Sequence, residues 1–458
     1  MSNDKLKVLI ISHGHPSYSI GGAEVASYNL YRGIDGLDDC EAHYLARIGP
    51  PHNVHRDTPF MSLRQREREV MYYADDYDHF RLSNRDPAAL RRDFSQYLKD
   101  LQPDVVHFHH FLGLGVECVY EVKRTLPNVP VVVTLHEFLS ICHHHGQMVK
   151  TEGKRLCRRA TPGDCALCFP DLSPGMFLRR EMFLKSFFDQ VDLFISPSEF
   201  LIERYVEWGL PRKKMRLLEN GIDTGKIAPP RPIPSNGRRS RLGFFGQVTA
   251  FKGVDVALEA ALRVPKSVWR DDAALMIFGG NLEGQPEAFR QRFETLLKSA
   301  GRRARFYGAY RSEELPDLMG DIDWLVVPSI WWENAPIVIQ EAGLHGRPVI
   351  CSNIGGMAEK VRHTKTGLHF RVGSVEDLVD RFVEVLTNPD LWQTMRTNID
   401  QPLSYQAAAA QHVERYHALL AKQPGTRFYR GTGRTRTVSS QLVVNLRERR
   451  SGPLRRVG

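Results

Sequence analysis

Short apolar runs rich in valine, isoleucine and phenylalanine recur along this chain, each followed by a stretch with helical periodicity, and this alternation restricts its fold more than anything else. The runs are residues 7–12, 105–109, 131–136, 193–197, 241–246, 275–280, 305–308, 324–329 and 348–352. Segments apolar on both faces must be covered from both sides, which points to α/β architecture with parallel, doubly wound sheets. Between the fourth and fifth runs, residues 228–240 contain Pro229, Pro230, Pro232 and Pro234 and no apolar period, as a linker would. The expected organisation is therefore two facing Rossmann-like domains, residues 1–227 and 241–400, joined by the linker 228–240. A closing helix over 401–423 follows Pro402, and a tail over 424–458 ends the chain. A length of 458 residues suits two such domains.

Composition removes some function classes. No stretch approaches the roughly 20 apolar residues of a spanning helix, and the first thirty residues lack a signal-peptide pattern, so a cytoplasmic protein is expected. The formal charge of +9 resembles that of a nucleic-acid binder only until it is located. From residue 424 onward there are nine arginines against the single acid Glu448, which leaves the body nearly neutral. The tail reads as a disordered, solubilising segment; contact with an anionic membrane is a second reading, and nucleic acid the least favoured.

Ligands of open parallel sheets bind beyond the carboxyl ends of strands. After the run at 324–329 come Trp331, Trp332, Glu333, Asn334, Ala335, Pro336, Ile337, Val338 and, further on, Glu341. Pro336 suits the first turn of a helix and Asn334 its cap, so the backbone N–H groups near Ile337 and Val338 would face an anion. Glu341, about five residues in, lies roughly 7.5 Å along the axis at 1.5 Å per residue and can accept hydrogen bonds from sugar hydroxyls. Glu333, before the helix, addresses another part of the ligand. The first strand of the second domain leads to Gln247 and then Lys252-Gly253 at another helix start, where an ammonium and a helix dipole act on one anion. In the first domain Gly21 and Gly22 open a helix and allow close approach of a diphosphate or sugar. This is not the Gly-x-Gly-x-x-Gly dinucleotide pattern. His136 ends a strand where it can donate to a hydroxyl or stabilise developing charge. His107, His109, His110 and His143 to His145 read as structural or exposed, and Asp321-Ile-Asp323 as a turn leading into a strand rather than a metal-holding pair.

Together Lys252-Gly253, Pro328-Ser329, the Glu333 and Glu341 pair, Gly346-Arg347-Pro348 and Gly355-Gly356 resemble the GT-B glycosyltransferases of the retaining family 4, over residues 5–420. The resemblance implies that Glu341 binds the donor ribose, Lys252 the diphosphate, Glu333 the transferred sugar, and His136 the reacting centre from the opposite domain. It also implies retention of anomeric configuration and no catalytic metal. Gln247 departs from the family, which often has arginine there, and leaves the diphosphate one charge short.

Cys142, Cys157, Cys165 and Cys168 crowd an insertion over residues 142–168 that follows His136. Disulfides do not suit the cytosol, whereas four thiolates including a Cys-x-x-Cys pair suit structural zinc; an iron-sulfur cluster and unligated thiols are the alternatives. The apolar helix over 176–188, flecked with Arg179, Arg180 and Lys185, either packs on its own sheet or docks on the inner membrane face. The expected activity is transfer of a sugar from a UDP- or GDP-linked donor to a saccharide or lipid-linked acceptor, in polysaccharide or glycoconjugate synthesis. A non-catalytic sugar-nucleotide-binding subunit and a GT-B epimerase or phosphorylase are the alternatives.

Overall fold

Each of the nine apolar runs forms a strand, because a β-branched segment with no polar face is most stable in the middle layer of a sandwich. The computed structural model describes residues 5–19, 21–50, 52, 58–63 and 66–422. The basic segment 424–458, with the expectation of a disordered tail, lies outside the described residues, as does Ile20 before the glycine pair.

In the first domain the strands are β1 (Leu6–Ser12), β2 (Cys40–Ile48), β3 (Phe60–Leu63) and β4 (Arg66–Tyr73). A small ribbon, β5 (Tyr77–Asp78) with β6 (Ser83–Asn84), precedes β7 (Val105–Phe108), β8 (Val131–Thr134), β9 (Leu193–Ser196) and β10 (Met215–Leu217). The main sheet has the order β10-β9-β8-β7-β1-β2-β4-β3, parallel except for the β3/β4 pair. The second domain has β11 (Arg241–Phe245), β12 (Ala274–Phe278), β13 (Ala304–Gly308), β14 (Trp324–Val327), β15 (Val349–Ser352) and β16 (Gly367–Phe370). Its order is β13-β12-β11-β14-β15-β16, parallel throughout. The strand order reverses direction between β1 and β7 in one sheet and between β11 and β14 in the other. Crevices open at such points, and every residue proposed from the sequence for the chemistry follows one of these strands or β8.

Alternate side chains of the first sheet enter two cores. Leu9, Ile11, Val106, Phe108 and Val133 pack with Phe94, Leu98 and Phe188 on one face. Val8, Ile10, Val132 and Ile195 pack with Leu30, Ile34, Val413 and Tyr416 on the other. Each fully buried side chain of this size contributes about 1.5–3 kcal/mol. The second core includes the helix Tyr405–Leu420, last in the described chain, which returns from the second domain and lies on the helix Gly22–Asp35 of the first. Gly33 permits that approach, since a Cβ there would stand 2.6 Å from the carbonyl oxygen of Tyr405. The buried His107 joins the same interface: its Nδ1 is 2.6 Å from the Tyr416 hydroxyl and its Nε2 2.7 Å from Thr134 Oγ1, the structural role expected of it.

The proline-rich linker is pinned. Asp323 is buried and receives Arg231 at 2.6 Å, Arg239 at 3.2 Å and the Arg241 backbone N–H at 3.0 Å. Two guanidiniums from the linker thus take up Asp323, one of the two acids that superficially resemble a metal motif. The helix Pro174–Phe188 packs Phe177, Leu184 and Phe188 inward and leaves Leu178 and Met182 exposed. Its Arg180 is buried and donates to the carbonyls of Phe80, Leu139 and Ser140, fixing the start of the cysteine-containing insertion.

Candidate active site

Two loops of the second domain close against each other to build one half of the site. After β11 the chain makes a short 3-10 turn, Ala250–Lys252, and passes through Gly253 into the helix Val254–Arg263. Gly253 has φ +67°, and a Cβ there would lie 2.0 Å from the Pro328 carbonyl oxygen, so only glycine lets the loop after β11 rest on the loop after β14. The Ile330 N–H donates to the Phe251 carbonyl at 2.8 Å across the same junction.

This packing brings Lys252 and Glu333 together, Nζ to Oε1 at 2.7 Å. The same Oε1 accepts from Ser329 Oγ at 2.8 Å and from Trp331 Nε1 at 2.9 Å. Three donors on one oxygen orient the buried Glu333 carboxylate, and Oε2 has no hydrogen bond among the described residues, so it is the oxygen left for a ligand. The Lys252 ammonium also lies 5.6 Å from the Trp331 ring centroid, and its side chain keeps 31% exposure, so it can turn toward an incoming anion.

Asn334 departs from the reading of it as a helix cap. The helix is Ile337–Leu344, Pro336 occupies the cap position, and no side chain caps it. Asn334 lies two residues before the cap position. Its amide crosses to the first domain, donating to the carbonyls of Leu135 at 3.3 Å and His136 at 3.1 Å and pairing with Ser198 Oγ. Gly355 and Gly356 press on the same backbone from behind: a Cβ on Gly356 would sit 1.2 Å from the Asn334 carbonyl oxygen.

The N–H groups of Ile337 and Val338 lack intrahelical acceptors by their position. Opposite them begins the first domain's helix Gly22–Asp35, with Gly21 as its cap. A Cβ on Gly22 would be 3.9 Å from Ile337 Cδ1, so two helix N-termini from different domains converge here. Both dipoles favour an anion between them. Gln247 is nearby in sequence but weakly engaged, its Oε1 accepting from Asn281 Nδ2 at 3.4 Å. Deeper in the second domain, Glu341 is the fifth residue of its helix. Its carboxyl is pushed up to about 7 by burial alone.

On the opposite side His136 follows β8. Its Nε2 is 2.9 Å from His109 Nδ1, and burial first, then the neighbouring His110, lowers it to about 3. His109 is likewise held well below the usual histidine range by burial. Both rings are therefore neutral near pH 7 and share one N–H, which makes His136 a positioned hydrogen-bonding ring rather than a cation. The sequence reading of His109 as structural missed this partnership; its signal was the parallel position of His109 after β7 and His136 after β8. His110 Nδ1 accepts the N–H groups of Phe111 and Leu112, both at 3.0 Å, and its Nε2 lies 3.3 Å from Glu137 Oε1. The His13 ring packs tilted against His110, centroids 4.4 Å apart, and faces the buried Glu24 at 3.4 Å. Ser198 and the Glu359 carboxylate, which accepts the N–H groups of Glu199 and Phe200 at 3.0 Å each, also hold the domains together. Neither residue was singled out from the sequence.

The cysteine-containing insertion reaches the same cleft. Trp332 Nε1 donates to the Cys157 carbonyl at 3.0 Å, the Trp332 ring packs on Phe200, and His144 meets Phe251 edge to face. Cys142, Cys157, Cys165 and Cys168, far apart in sequence, line one small cavity with His143, His144 and Asp164. All seven cysteines are free thiols, and burial pushes the Cys142 thiol up to about 11 and the Cys165 thiol to about 12. No three ligating side chains among the described residues meet at metal-coordinating geometry as they stand.

Residues 229–401 match the family Glycosyl transferases group 1, and residues 20–226 match Glycosyltransferase Family 4. Among curated relatives, the GDP-mannose-dependent alpha-(1-6)-phosphatidylinositol monomannoside mannosyltransferase of Mycobacterium tuberculosis is 29% identical over 220 residues, covering 44% of this chain and 54% of that protein. The D-inositol 3-phosphate glycosyltransferase of Corynebacterium aurimucosum is 24% identical over 331 residues, covering 67% and 70%. The chain thus spans about half the length of the first of these relatives. Among solved structures, sucrose-phosphate synthase from Thermosynechococcus elongatus superposes with a TM-score of 0.68 at 18% identity, covering 91% of this chain and all of that one. Anabaena HepE in complex with UDP and glucose superposes at 0.60 and 16% identity, covering 90% and 100%. At these identities the structures show the two-domain fold.

The raised Glu341 carboxyl makes a stability prediction. Its folded value exceeds its unfolded one, so its stabilising contribution is complete below about pH 4.5 and is lost as pH rises through about 7. Glu341→Gln removes this dependence. Denaturant midpoints should show the wild type losing ground to the variant between pH 5 and pH 8; an unchanged difference would mean that the carboxyl is not desolvated.

Proposed function

The chain belongs to the GT-B glycosyltransferases of family 4, and from that premise we propose that it transfers a sugar from a nucleoside-diphosphate donor to an acceptor hydroxyl with retention of configuration. The observation that carries this reading is the junction at Asn334, where the loop holding Glu333 hydrogen-bonds to the carbonyl of His136. Groups suited to the donor and a group suited to the reacting centre thereby share one cleft.

In this reading the donor diphosphate lies at the two helix N-termini, with Lys252 turning from Glu333 to meet it. Glu341 accepts hydrogen bonds from the ribose hydroxyls. The free Oε2 of Glu333 accepts from hydroxyls of the transferred sugar, and the neutral His136 hydrogen-bonds to the same sugar from across the cleft. The bond from the anomeric carbon to the phosphate oxygen breaks while the acceptor oxygen bonds to that carbon from the same face. The acceptor proton passes to the departing phosphate oxygen, so no protein base is required. Lys252 and the helix dipoles stabilise the charge that develops on the leaving diphosphate, the largest single contribution in sites of this kind. With glutamine at 247, Lys252 is the principal side-chain cation and its loss should be felt strongly. Relatives named for GDP-mannose and for inositol derivatives support a GDP-linked donor and a polyhydroxyl acceptor in glycoconjugate synthesis, with a UDP-linked donor as the other arm of the screen.

Slow donor hydrolysis, read as released GDP or UDP, is the assay. Lys252→Ala should lower kcat/KM by about 2–4 kcal/mol of transition-state stabilisation, or roughly 30- to 1,000-fold. If wild-type protein neither binds nor hydrolyses any nucleotide sugar, the proposed activity is wrong.

The four cysteines around one cavity support structural zinc in the insertion, which Cys142, Cys157, Cys165 and Cys168 would hold as thiolates. Plasma emission analysis of protein purified without chelator should find one zinc per chain, lost in Cys165→Ser. Less than a few tenths of an equivalent in the wild type would remove the metal from the account.

A further inference from the structure

We propose that Arg47 anchors an anionic group on the acceptor, a carboxylate or a phosphate, at the mouth of the first domain's cleft. The proposal rests on the reading of this domain as the acceptor side and goes further by naming the acceptor's charge.

Arg47 is the penultimate residue of β2 and lies at the carboxyl end of that strand, beside β1 and the loop that carries His13. Its Nε donates to the Ala74 carbonyl at 2.7 Å, which fixes the plane of the guanidinium. Two glycines make room for it. A Cβ on Gly49 would stand 2.2 Å from Nη2, and one on Gly113 would stand 2.8 Å from Nε. Gly113 follows His110 by three residues, so the guanidinium packs against the loop that carries the His110–Glu137 pair. Its charge is felt at His13, where it adds to the forces holding that ring neutral.

A half-buried guanidinium ordinarily has a carboxylate beside it, because desolvating the charge is costly. Arg47 has none within ion-pair distance among the described residues. The nearby acids are already taken. Glu24 accepts from Ser19 Oγ at 2.9 Å and faces His13, while Glu137 accepts the Leu139 N–H and faces His110. The exposed Asp75 accepts from the Tyr73 hydroxyl at 3.0 Å. Burial depresses Arg47, and the Asp75 carboxylate, which lies beyond ion-pair distance, offsets this only in part. Among the described residues the two terminal nitrogens have no hydrogen-bond or ion-pair partner, and a fork of that shape matches a carboxylate or phosphate edge. A neutral sugar would leave the charge uncompensated.

The test uses the full chain saturated with GDP or UDP, which fills the diphosphate site and keeps phosphate probes out of it. Glucose, glucuronate and glucose 6-phosphate are titrated by calorimetry. In the wild type at least one anionic sugar should bind ten-fold or more tightly than glucose, and which one does so distinguishes a carboxylate from a phosphate acceptor. Arg47→Gln should bring all three to the same affinity without changing the Kd for the nucleotide. Arg47→Lys, which keeps the charge but not the fork, should retain only part of the preference and covers the case in which the glutamine variant does not fold. Equal binding of the three sugars to the wild type, no binding of any of them, or a preference that survives both substitutions overturns the proposal. Failure of both nucleotides to bind would instead contradict the proposed activity.

Discussion

The hydrogen bonds from the Asn334 amide to the carbonyls of Leu135 and His136 are the interaction on which the rest of the site depends. Each domain alone offers only half of a binding surface: one has a carboxylate, an ammonium and a helix start, the other a glycine pair and a histidine. A side-chain amide buried between them must find partners, since leaving it unsatisfied would cost about 1–3 kcal/mol. It is satisfied only when the domains are close enough for Glu333 and His136 to face one ligand. Gly355 and Gly356 support the bridge by allowing a second turn to press directly on the backbone of Glu333 and Asn334.

Electrostatics divides the cleft into two regions. On the donor side, positive character comes from Lys252 and from two converging helix starts. On the opposite side His13, His109 and His136 are neutral because burial penalises their charged forms, and Glu24 and Glu137 are held by internal donors. Such a wall can orient hydroxyl groups without competing for the diphosphate. Arg47 is the exception, a cation placed away from the donor half, and that separation is why it bears on the acceptor.

Much of the fold was legible in the sequence because parallel strands buried on both faces have a strong signature. All nine runs became strands. The strands that escaped, among them β2 and β4, carry Glu41, His43, Glu69 and Arg66 among their apolar residues, which interrupts the continuous apolar signature. At the site, the loops that bring Lys252 to Glu333 were visible because each follows a parallel strand. The role of Asn334 was not, because the proximity of residue 334 to residues 135 and 136 is a property of how two domains meet, and local helix rules suggested a cap instead. The His109–His136 pair and the contact between Trp332 and Cys157 were hidden for the same reason. The four cysteines stood out by number, while their convergence on one cavity needed the fold.

Comparison of nucleotide binding with donor turnover in Asn334→Ala tests the central claim most directly. If the amide sets how the two halves meet, the variant should bind GDP or UDP with an unchanged Kd through Lys252, Glu341 and the helix starts, while donor turnover falls about ten- to one hundred-fold, consistent with loss of positioning at the reacting centre. Turnover equal to that of the wild type, with nucleotide affinity also unchanged, would contradict the account.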